Sequence, residues 1–223
     1  MDTLYAVSGT SSFVAALLLE ECEHPYTLEL MALYPNGAGT ADYANVNPWK
    51  QVPALVTERG LITEVIAIAH YLDYSHPERT LIPLDPWQRI QMQRWYSCLS
   101  TAIQPYVRCV VRPERFVGDD AAQIRILGEH VGRIIFEKLA LINDELGTRQ
   151  WFIGHEFGPV DALLTTIMSW AERMRLPVKK LSHLQAHSER CRERPAFARA
   201  VERHGIVPNI VRSGSVQVAT GAA

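Results

Sequence analysis

The first thirty residues show two hydrophobic periods in succession. An unbroken apolar run, TLYAV at residues 3–7, is typical of a short buried strand. Between Ser12 and Glu21, apolar residues such as Phe13 and Leu17 recur at a helical spacing, which predicts a helix. YTLELM at residues 26–31 then predicts a second strand.

The next fifty residues predict the rest of an α/β domain. A loop rich in Gly, Asn and Pro is expected over residues 35–48. PALVTE at residues 53–58 and LITE at residues 61–64 flank Arg59-Gly60, which predicts a β-hairpin. Residues 65–74 carry a helical pattern. We therefore predict an α/β domain over residues 1–80.

The stretch HPERTLIPLDP, residues 76–86, divides the chain. Proline fixes φ and removes a backbone donor, so we interpret this stretch as a linker. Beyond it the pattern is helical, and helices are predicted at residues 87–111, 120–146, 161–174, 183–193 and 196–204. This predicts an all-α domain over residues 87–210. The small polar residues 212–223 predict a frayed end.

Composition and charge argue against several classes of protein. The net charge is −2 and the pI about 6.4, so neither nucleic acid nor a membrane is an expected partner. No apolar run reaches the roughly 18 residues of a membrane span, and the N-terminus does not resemble a signal peptide. The cysteines form no C-x-x-C pair and the histidines no zinc-site spacing. We therefore predict free thiols, no metal and a cytoplasmic location.

The stretch NPWKQVPAL places Val52-Pro53 directly before a predicted strand. Proline belongs at a strand start, because it cannot donate to a sheet ladder. A cis bond here would turn the backbone N–H and C=O of Val52 outward, where they could pair with an extended peptide ligand. Local sequence alone favours an ordinary trans bond, since only about 5% of X-Pro bonds are cis.

The stretch LITEVIAIAHYL passes from a strand into a helix at Thr63-Glu64. Backbone N–H groups at a helix N-terminus are unpaired and the helix dipole favours an anion, so a ligand carboxylate could bind there. The carboxylate of Glu64 could accept a ligand ammonium. The alternative is that Thr63 or Glu64 only caps the helix.

Three consecutive hydroxyl residues, Thr10, Ser11 and Ser12, precede the first predicted helix. A Ser or Thr cap is worth about 1 kcal/mol, which would explain such residues without any chemistry. A hydroxyl in the same place could also donate to a ligand thiolate, because helix N-termini lower the thiol pKa from about 8.5. One of the three hydroxyls can cap the helix while another faces a ligand, so the two interpretations can hold together.

Together these stretches resemble the cytosolic glutathione transferases, most closely the bacterial beta class. The resemblance runs nearly to residue 206 and rests on four stretches in the expected order: NPWKQVPAL, LITEVIAIAHYLDYSHPERTLIP, QWFIGHEFGPVDALLTTIMSW and ERPAFARAVERHGI. It implies a thioredoxin-like domain followed by an all-helical domain, usually in a homodimer. It also implies glutathione as co-substrate, a small hydrophobic electrophile bound against the helices, and a cis Val52–Pro53 bond.

The resemblance implies roles for individual residues. Val52 would pair with the cysteinyl part of glutathione, while Glu64 and the N–H of Val65 would hold its γ-glutamyl end. Ser11 would donate to the thiolate, with its two hydroxyl neighbours in reserve. We assign Ser12 as the helix cap, and the reverse assignment stays open, because helix boundaries are uncertain by a residue or more. The set expected at the glutathione site is Gln51, Val52, Pro53, Glu64, Val65 and Gln104. The set expected in the electrophile pocket is Tyr106, Val107 and Trp170, although core packing explains Trp170 equally well.

Several positions depart from the beta-class pattern. Ser11 stands where that class usually carries a cysteine, so a mixed disulfide with glutathione is disfavoured here. Val65 replaces a frequent serine, Gln104 a common histidine, and Tyr34 or a neighbour a usual lysine. Gly158 stands where a Ser or Thr cap is usual, and glycine costs only a few tenths of a kcal/mol against serine there.

We therefore predict a glutathione transferase that activates the glutathione thiol for attack on a hydrophobic electrophile. Two alternatives stay open. One is a binding protein of the same fold with little or no turnover. The other is a glutathione-dependent peroxidase or reductase, which ranks lower because none of the four cysteines falls at the start of the first helix.

Overall fold

The structure is a computed structural model and describes residues 1–34 and 37–205. The elements before the linker are β1 (Asp2–Ala6), α1 (Ser12–Glu21), β2 (Tyr26–Leu30), β3 (Leu33–Tyr34), β4 (Gly37–Ala38), β5 (Ala54–Thr57), β6 (Gly60–Thr63) and α2 (Val65–Ser75). Those after it are α3 (Pro86–Ala102), α4 (Gln104–Val111), α5 (Glu114–Val117), α6 (Ala121–Leu146), α7 (Pro159–Arg173), α8 (Ser182–Arg192) and α9 (Pro195–His204). None of these helices is both long and apolar enough to cross a membrane.

The main sheet has the strand order β2-β1-β5-β6. Strand β1 runs parallel to β2 and antiparallel to β5, and β5 and β6 form the predicted hairpin. Helix α1 connects the parallel pair, and α2 follows the hairpin. This order confirms the predicted thioredoxin-like domain, and the helices after it confirm the predicted all-helical domain.

Helix α1 is the centre of the molecule. Every residue from Ser12 to Glu20 is buried, and the helix packs against α2, α7 and α9 as well as β1. A helix that is apolar on all sides is stable only when it is covered on all sides. One hydrophobic cluster therefore joins residues of the sheet domain, such as Leu4 and Phe13, to residues of the helical domain, such as Leu164 and Phe197.

The predicted single helix over residues 87–111 is wrong. The structure has two helices there, α3 and α4, which are separated at Ile103. Pro105 lies at the start of α4, and a proline inside one continuous helix would remove a backbone donor and crowd the preceding turn. The break therefore follows from Pro105.

Other boundaries also differ from the predictions. The predicted loop 35–48 contains part of the short β3–β4 pairing and a 3₁₀ turn, Ala41–Asn45. The linker contains a 3₁₀ turn at Pro77–Arg79. The short helix α5 was not predicted, and α7 begins two residues before the predicted Asp161. The predicted frayed end, residues 212–223, lies outside the described residues.

Candidate functional site

The sheet register brings three separate stretches of the chain to one end of the sheet. Ala54, the first residue of β5, pairs with Tyr5 of β1 and with Thr63 of β6. The turn that follows β1, the peptide that precedes β5 and the residue that follows β6 therefore meet at this end. It holds three of the predicted site residues: Ser11, Val52 and Glu64.

The peptide before β5 is held from both sides. The Val52–Pro53 bond is cis, as the resemblance implies and contrary to what local sequence favours. The carbonyl of Val52 accepts a hydrogen bond from Ser11 Oγ at 3.2 Å. The carbonyl of Gln51 accepts from Tyr43 Oη at 2.8 Å and from Asn47 Nδ2 at 2.9 Å. Both donors are on buried residues, so they fix the backbone on which Val52 is presented.

The three hydroxyl residues differ in their contacts. The assignment of Ser12 as the cap is wrong, because Ser11 is the N-cap residue of α1 and its side chain makes no capping hydrogen bond. Ser12 is fully buried; its Oγ accepts from the N–H of Val7 at 3.1 Å and lies 2.8 Å from His204 Nε2. Thr10 Oγ1 donates to the carbonyl of Val7 at 2.8 Å. The Ser11 hydroxyl is the one that faces Val52.

Glu64 has an unusual backbone conformation at the N-terminus of α2. Its φ is 64° and its ψ 122°, a combination that non-glycine residues rarely adopt and that concentrates at functional sites. The Glu64 side chain is exposed and makes no capping hydrogen bond, so its carboxylate is not used as a cap. The first N–H groups of a helix, here from Val65 onward, have no partner within the helix.

Glu64 also lies close to the helical domain. Burial, with a smaller contribution from the Glu64 carboxylate, raises the pKa of the Tyr96 hydroxyl on α3. Tyr96 is therefore neutral at physiological pH and forms part of the wall beside Glu64.

The predicted residues of the helical domain are placed as follows. Gln104 is the first residue of α4 and is half-buried. The half-buried ring of Tyr106 lies 5.8 Å from Lys138 Nζ, while Val107 is buried. Trp170 is buried on α7 and its Nε1 donates to the carbonyl of Gly9 at 2.9 Å. That contact supports the packing interpretation of Trp170, and its place in an electrophile pocket stays a prediction.

Two cavities lie away from these residues. The larger, of about 400 Å³, lies between the end of β2 and the Ala41–Asn45 turn, with Tyr5, Met31 and Tyr43 in its lining. The smaller, of about 50 Å³, lies beside Cys22 and Arg194. Neither cavity is lined by a predicted site residue.

His204 was missed by the sequence analysis. It is 1% exposed at the end of α9, with Nε2 on Ser12 and Nδ1 at 2.8 Å from the carbonyl of Gly205. Burial lowers the pKa of His204, an effect that the Gly205 carbonyl partly opposes, so the ring is neutral at neutral pH. The sequence gives no signal for this contact, because 192 positions separate Ser12 from His204.

A second group resembles a catalytic triad but is structural. Cys191 Sγ lies 3.8 Å from His187 Nε2, which is 2.7 Å from Asp161 Oδ1. All three residues are buried, and burial, reinforced by Asp161, raises the pKa of Cys191 to about 12. Asp161 also accepts from the N–H groups of Phe152 and Gly158, so it caps the start of α7 although Gly158 has no side chain.

The four cysteines are free, as predicted. Within residues 1–34 and 37–205, no three His, Cys, Asp or Glu side chains are arranged to hold a metal ion.

The mixed four-stranded sheet, the cis-proline loop and the helical second domain define a two-domain protein of the thioredoxin-fold class. Two family models match the chain: the N-terminal domain of glutathione S-transferase over residues 11–74 and its C-terminal domain over residues 100–195. The glutathione S-transferase GstA of Escherichia coli O157:H7 is 30% identical over 209 residues, which are 91% of this chain and 98% of that protein. The chain therefore belongs to the glutathione S-transferase family.

Other similarities agree with this assignment. A maleylacetoacetate isomerase of Pseudomonas aeruginosa is 26% identical over 71% of this chain and 74% of that protein. The structure of a Sulfitobacter glutathione transferase homologue with bound glutathione superimposes with a TM-score of 0.83 at 22% identity, over 93% of this chain and 99% of that one. The beta-class enzyme of Sphingomonas chungbukensis gives a TM-score of 0.80 at 22% identity, over 92% and 100%. These structures confirm the fold, and the bacterial beta class is among its structural neighbours, as predicted.

Proposed function

We propose that this protein is a glutathione transferase, which binds glutathione along its first domain and activates the thiol for attack on a small hydrophobic electrophile. The observation that carries the proposal is the hydrogen bond from Ser11 Oγ to the Val52 carbonyl. It places a hydroxyl at the N-terminus of α1, beside the backbone groups that the cis bond presents.

Glutathione is held in this proposal by the groups that meet at the end of the sheet. Its cysteinyl backbone pairs with the N–H and C=O of Val52, as an added strand would. Its γ-glutamyl carboxylate binds the N–H of Val65 at the start of α2, and its ammonium binds the exposed carboxylate of Glu64. Gln51 and Gln104 flank the remaining length of the tripeptide.

In this proposal, two acceptors compete for the hydroxyl proton of Ser11: the carbonyl of Val52 and the thiolate of glutathione. Without ligand, Ser11 donates to the neutral carbonyl of Val52 at 3.2 Å. A thiolate at this place is a stronger acceptor, because hydrogen bonds to an ionised partner are about twice as strong. The N-terminus of α1 adds its positive potential. The thiol proton passes to solvent and the thiolate attacks carbon. A C–S bond forms, and the leaving group departs or the product takes up a proton from solvent.

The remaining parts of the proposal rest on the family. The electrophile binds between the Ser11 site and the helical domain, with Tyr106, Val107 and Trp170 as candidate walls. The protein acts as a homodimer in the cytoplasm, with a role in detoxification.

A second candidate function is glutathione-assisted isomerisation. The similarity to a maleylacetoacetate isomerase favours it. In such a reaction the thiolate adds to a carbon–carbon double bond, the bond rotates and the thiolate leaves, so glutathione is not consumed. Measuring glutathione before and after turnover separates this reaction from conjugation, which consumes one glutathione per product.

The proposal is tested by measuring the affinity for glutathione and the pKa of the bound thiol. Calorimetry gives the affinity, and thiolate absorbance against pH gives the pKa. For the wild type we expect a pKa about 1–2 units below the free value of about 8.5. In Ser11→Ala the pKa should rise by about one unit, which corresponds to about 1.4 kcal/mol of thiolate stabilisation.

The matched control is Ser11→Thr, which keeps a hydroxyl at the same position and should keep most of the lowering. Binding with an unshifted thiol in the wild type would favour a binding protein without turnover. Absence of binding would refute the proposed site altogether.

A further inference from the structure

We propose that His204, at the end of α9, is a positioning residue: through Ser12 it fixes the turn that presents Ser11. The helical domain thereby completes a turn that belongs to the sheet domain. The contact itself is independent of function, whereas its effect on the thiol rests on the proposed function above.

The hydrogen atoms of this cluster can be assigned from its geometry. The carbonyl of Gly205 can only accept, so the proton of the neutral imidazole is on Nδ1. Nε2 is then an acceptor, and the Ser12 hydroxyl must donate to it. The Ser12 oxygen is left to accept from the N–H of Val7. His204 thus sets the direction in which the Ser12 hydroxyl donates, although Thr10 Oγ1 also lies 2.9 Å from Ser12 Oγ.

The arrangement also determines the bonds of Thr10. Ser12 Oγ lies 3.1 Å from the carbonyl of Val7, but Thr10 Oγ1 already donates to that oxygen at 2.8 Å. If Nε2 were lost as an acceptor, Ser12 would have to donate to Thr10 Oγ1, 2.9 Å away, or compete with Thr10 for the carbonyl of Val7. Either change redirects a hydrogen bond that closes the turn, so the turn would rearrange.

Two further contacts connect the helical domain to the same turn. Trp170 Nε1 donates to the carbonyl of Gly9, and the N–H of Gly9 donates to the carbonyl of Gly205 at 3.3 Å. The approach is close: Gly205 has a φ of +74°, and a Cβ there would lie 2.7 Å from Ser8 Oγ. The helical domain therefore binds both the N–H and the carbonyl of Gly9, while the Ser11 hydroxyl donates to the carbonyl of Val52.

His204 is itself held in a fixed position. Its ring packs edge-on against Phe13, with the ring centres 5.6 Å apart. Two arginines of the same helix, Arg199 and the adjacent Arg203, donate to the buried carboxylate of Glu20 on α1. A side chain anchored in this way can impose a direction on the Ser12 hydroxyl.

The first experiment needs no ligand and uses two matched variants of the full chain. His204→Phe keeps the ring and its contact with Phe13 but removes the acceptor, whereas His204→Gln keeps an acceptor near the position of Nε2. Amide hydrogen exchange is followed at Val7, with Leu163 in α7 as the internal reference. We expect exchange at Val7 to be about tenfold faster in His204→Phe and close to the wild type in His204→Gln. Unchanged exchange at Val7 in His204→Phe would overturn the proposal.

The second experiment measures the pKa of bound glutathione in the same proteins. We expect His204→Phe to raise it by about half a unit or more, with affinity changed by less than about threefold, and His204→Gln to restore it. An equally acidified thiol in His204→Phe would overturn the positioning role. An unshifted thiol in the wild type would instead refute the proposed function, and the exchange at Val7 would still decide whether His204 holds the turn.

Ser12→Ala removes the same hydrogen bond from the other side, but it also removes the acceptor of the Val7 N–H, so its readout is the thiol pKa. It should raise that pKa as His204→Phe does, and the double variant should add little to either single change. If His204→Phe does not fold, Ser12→Ala decides the question: a wild-type thiol pKa would contradict the proposal.

Discussion

Ser11 is distinguished from its neighbours by what its hydroxyl can reach. Thr10 and Ser12 both use their oxygens to close the turn after β1, while Ser11 bonds across to the strand pair at Val52. That separation gives two of the hydroxyls a structural role and agrees with the proposal that the third acts on the thiol. It also identifies Ser11 Oγ as the atom that a sulfur would have to replace for this site to carry out thiol–disulfide exchange.

The first prediction at this scale concerns Ser11→Cys. The introduced thiol would lie at the N-terminus of α1, where the helix lowers its pKa, and it should form a mixed disulfide when the protein is incubated with glutathione disulfide. Intact mass and peptide mapping would detect the adduct on the peptide that contains residue 11.

The wild type serves as the control for this prediction. Burial raises the pKa of Cys22 and of Cys191 to about 12, so neither should react. The exposed Cys98 reports the background rate. A rate at residue 11 no higher than that at Cys98 would show that this position does not activate a thiol.

The sequence indicated which candidate residues lie next to strand ends. Ser11, Val52 and Glu64 each stand within a few positions of a strand, so the pairing register brings them together. His204 could not be predicted, because nothing local distinguishes a buried histidine that bonds a serine 192 positions away from one that only packs. The cap was predicted one residue late, at Ser12 instead of Ser11, a difference that no periodic pattern resolves.

At the scale of elements, the start of α7 depends on one buried carboxylate. Asp161 accepts from two backbone N–H groups and from His187. Its removal would leave these groups buried and unpaired. The start of α6 offers a matched contrast, since Asp120 is exposed and caps the N–H groups of Ala122 and Gln123.

We therefore predict that Asp161→Ala lowers the free energy of unfolding by about 3 kcal/mol, because it leaves a buried network without its acceptor. Asp120→Ala should cost about 1 kcal/mol, the usual value of an exposed cap. Urea unfolding followed by circular dichroism measures both. Equal costs for the two substitutions would mean that burial adds nothing to the role of Asp161.

Element boundaries show where periodicity fails as a guide. The pattern of residues 87–111 remains helical across Ile103, and only the proline two positions later indicates the break. The short strands β3 and β4 have two residues each, too few to show any period. In contrast, α1 and the β5–β6 hairpin were predicted almost to the residue, because a long apolar run and a tight turn are strong local signals.

At the scale of the whole molecule, the two domains share their interior. Helix α1 belongs to the sheet domain in sequence but is covered by α7 and α9 of the helical domain. The ion pairs of Glu20 and Glu21 with arginines of α9 and its N-terminal neighbour cross the same boundary. Neither domain therefore has a complete core without the other.

We predict that both domains unfold in one transition. Cys22 lies in the sheet domain and Cys191 in the helical domain, and both thiols are buried. In a thiol-labelling experiment at increasing denaturant, the two should become reactive at the same concentration, because the shared core is lost as a unit. Exposed Cys98 should react without denaturant. Labelling of Cys22 at clearly lower denaturant than Cys191 would show that the domains unfold separately.

The hydrogen bond between Ser12 and His204 has a consequence for the order of events during synthesis. A ribosome makes the first turn of α1 early, but the acceptor for the Ser12 hydroxyl is added 192 residues later. Until then Ser12 can donate only within its own turn, to Thr10 Oγ1 or to the carbonyl of Val7. A chain cut short before α9 would therefore contain every candidate site residue and still lack the contact that directs the Ser12 hydroxyl.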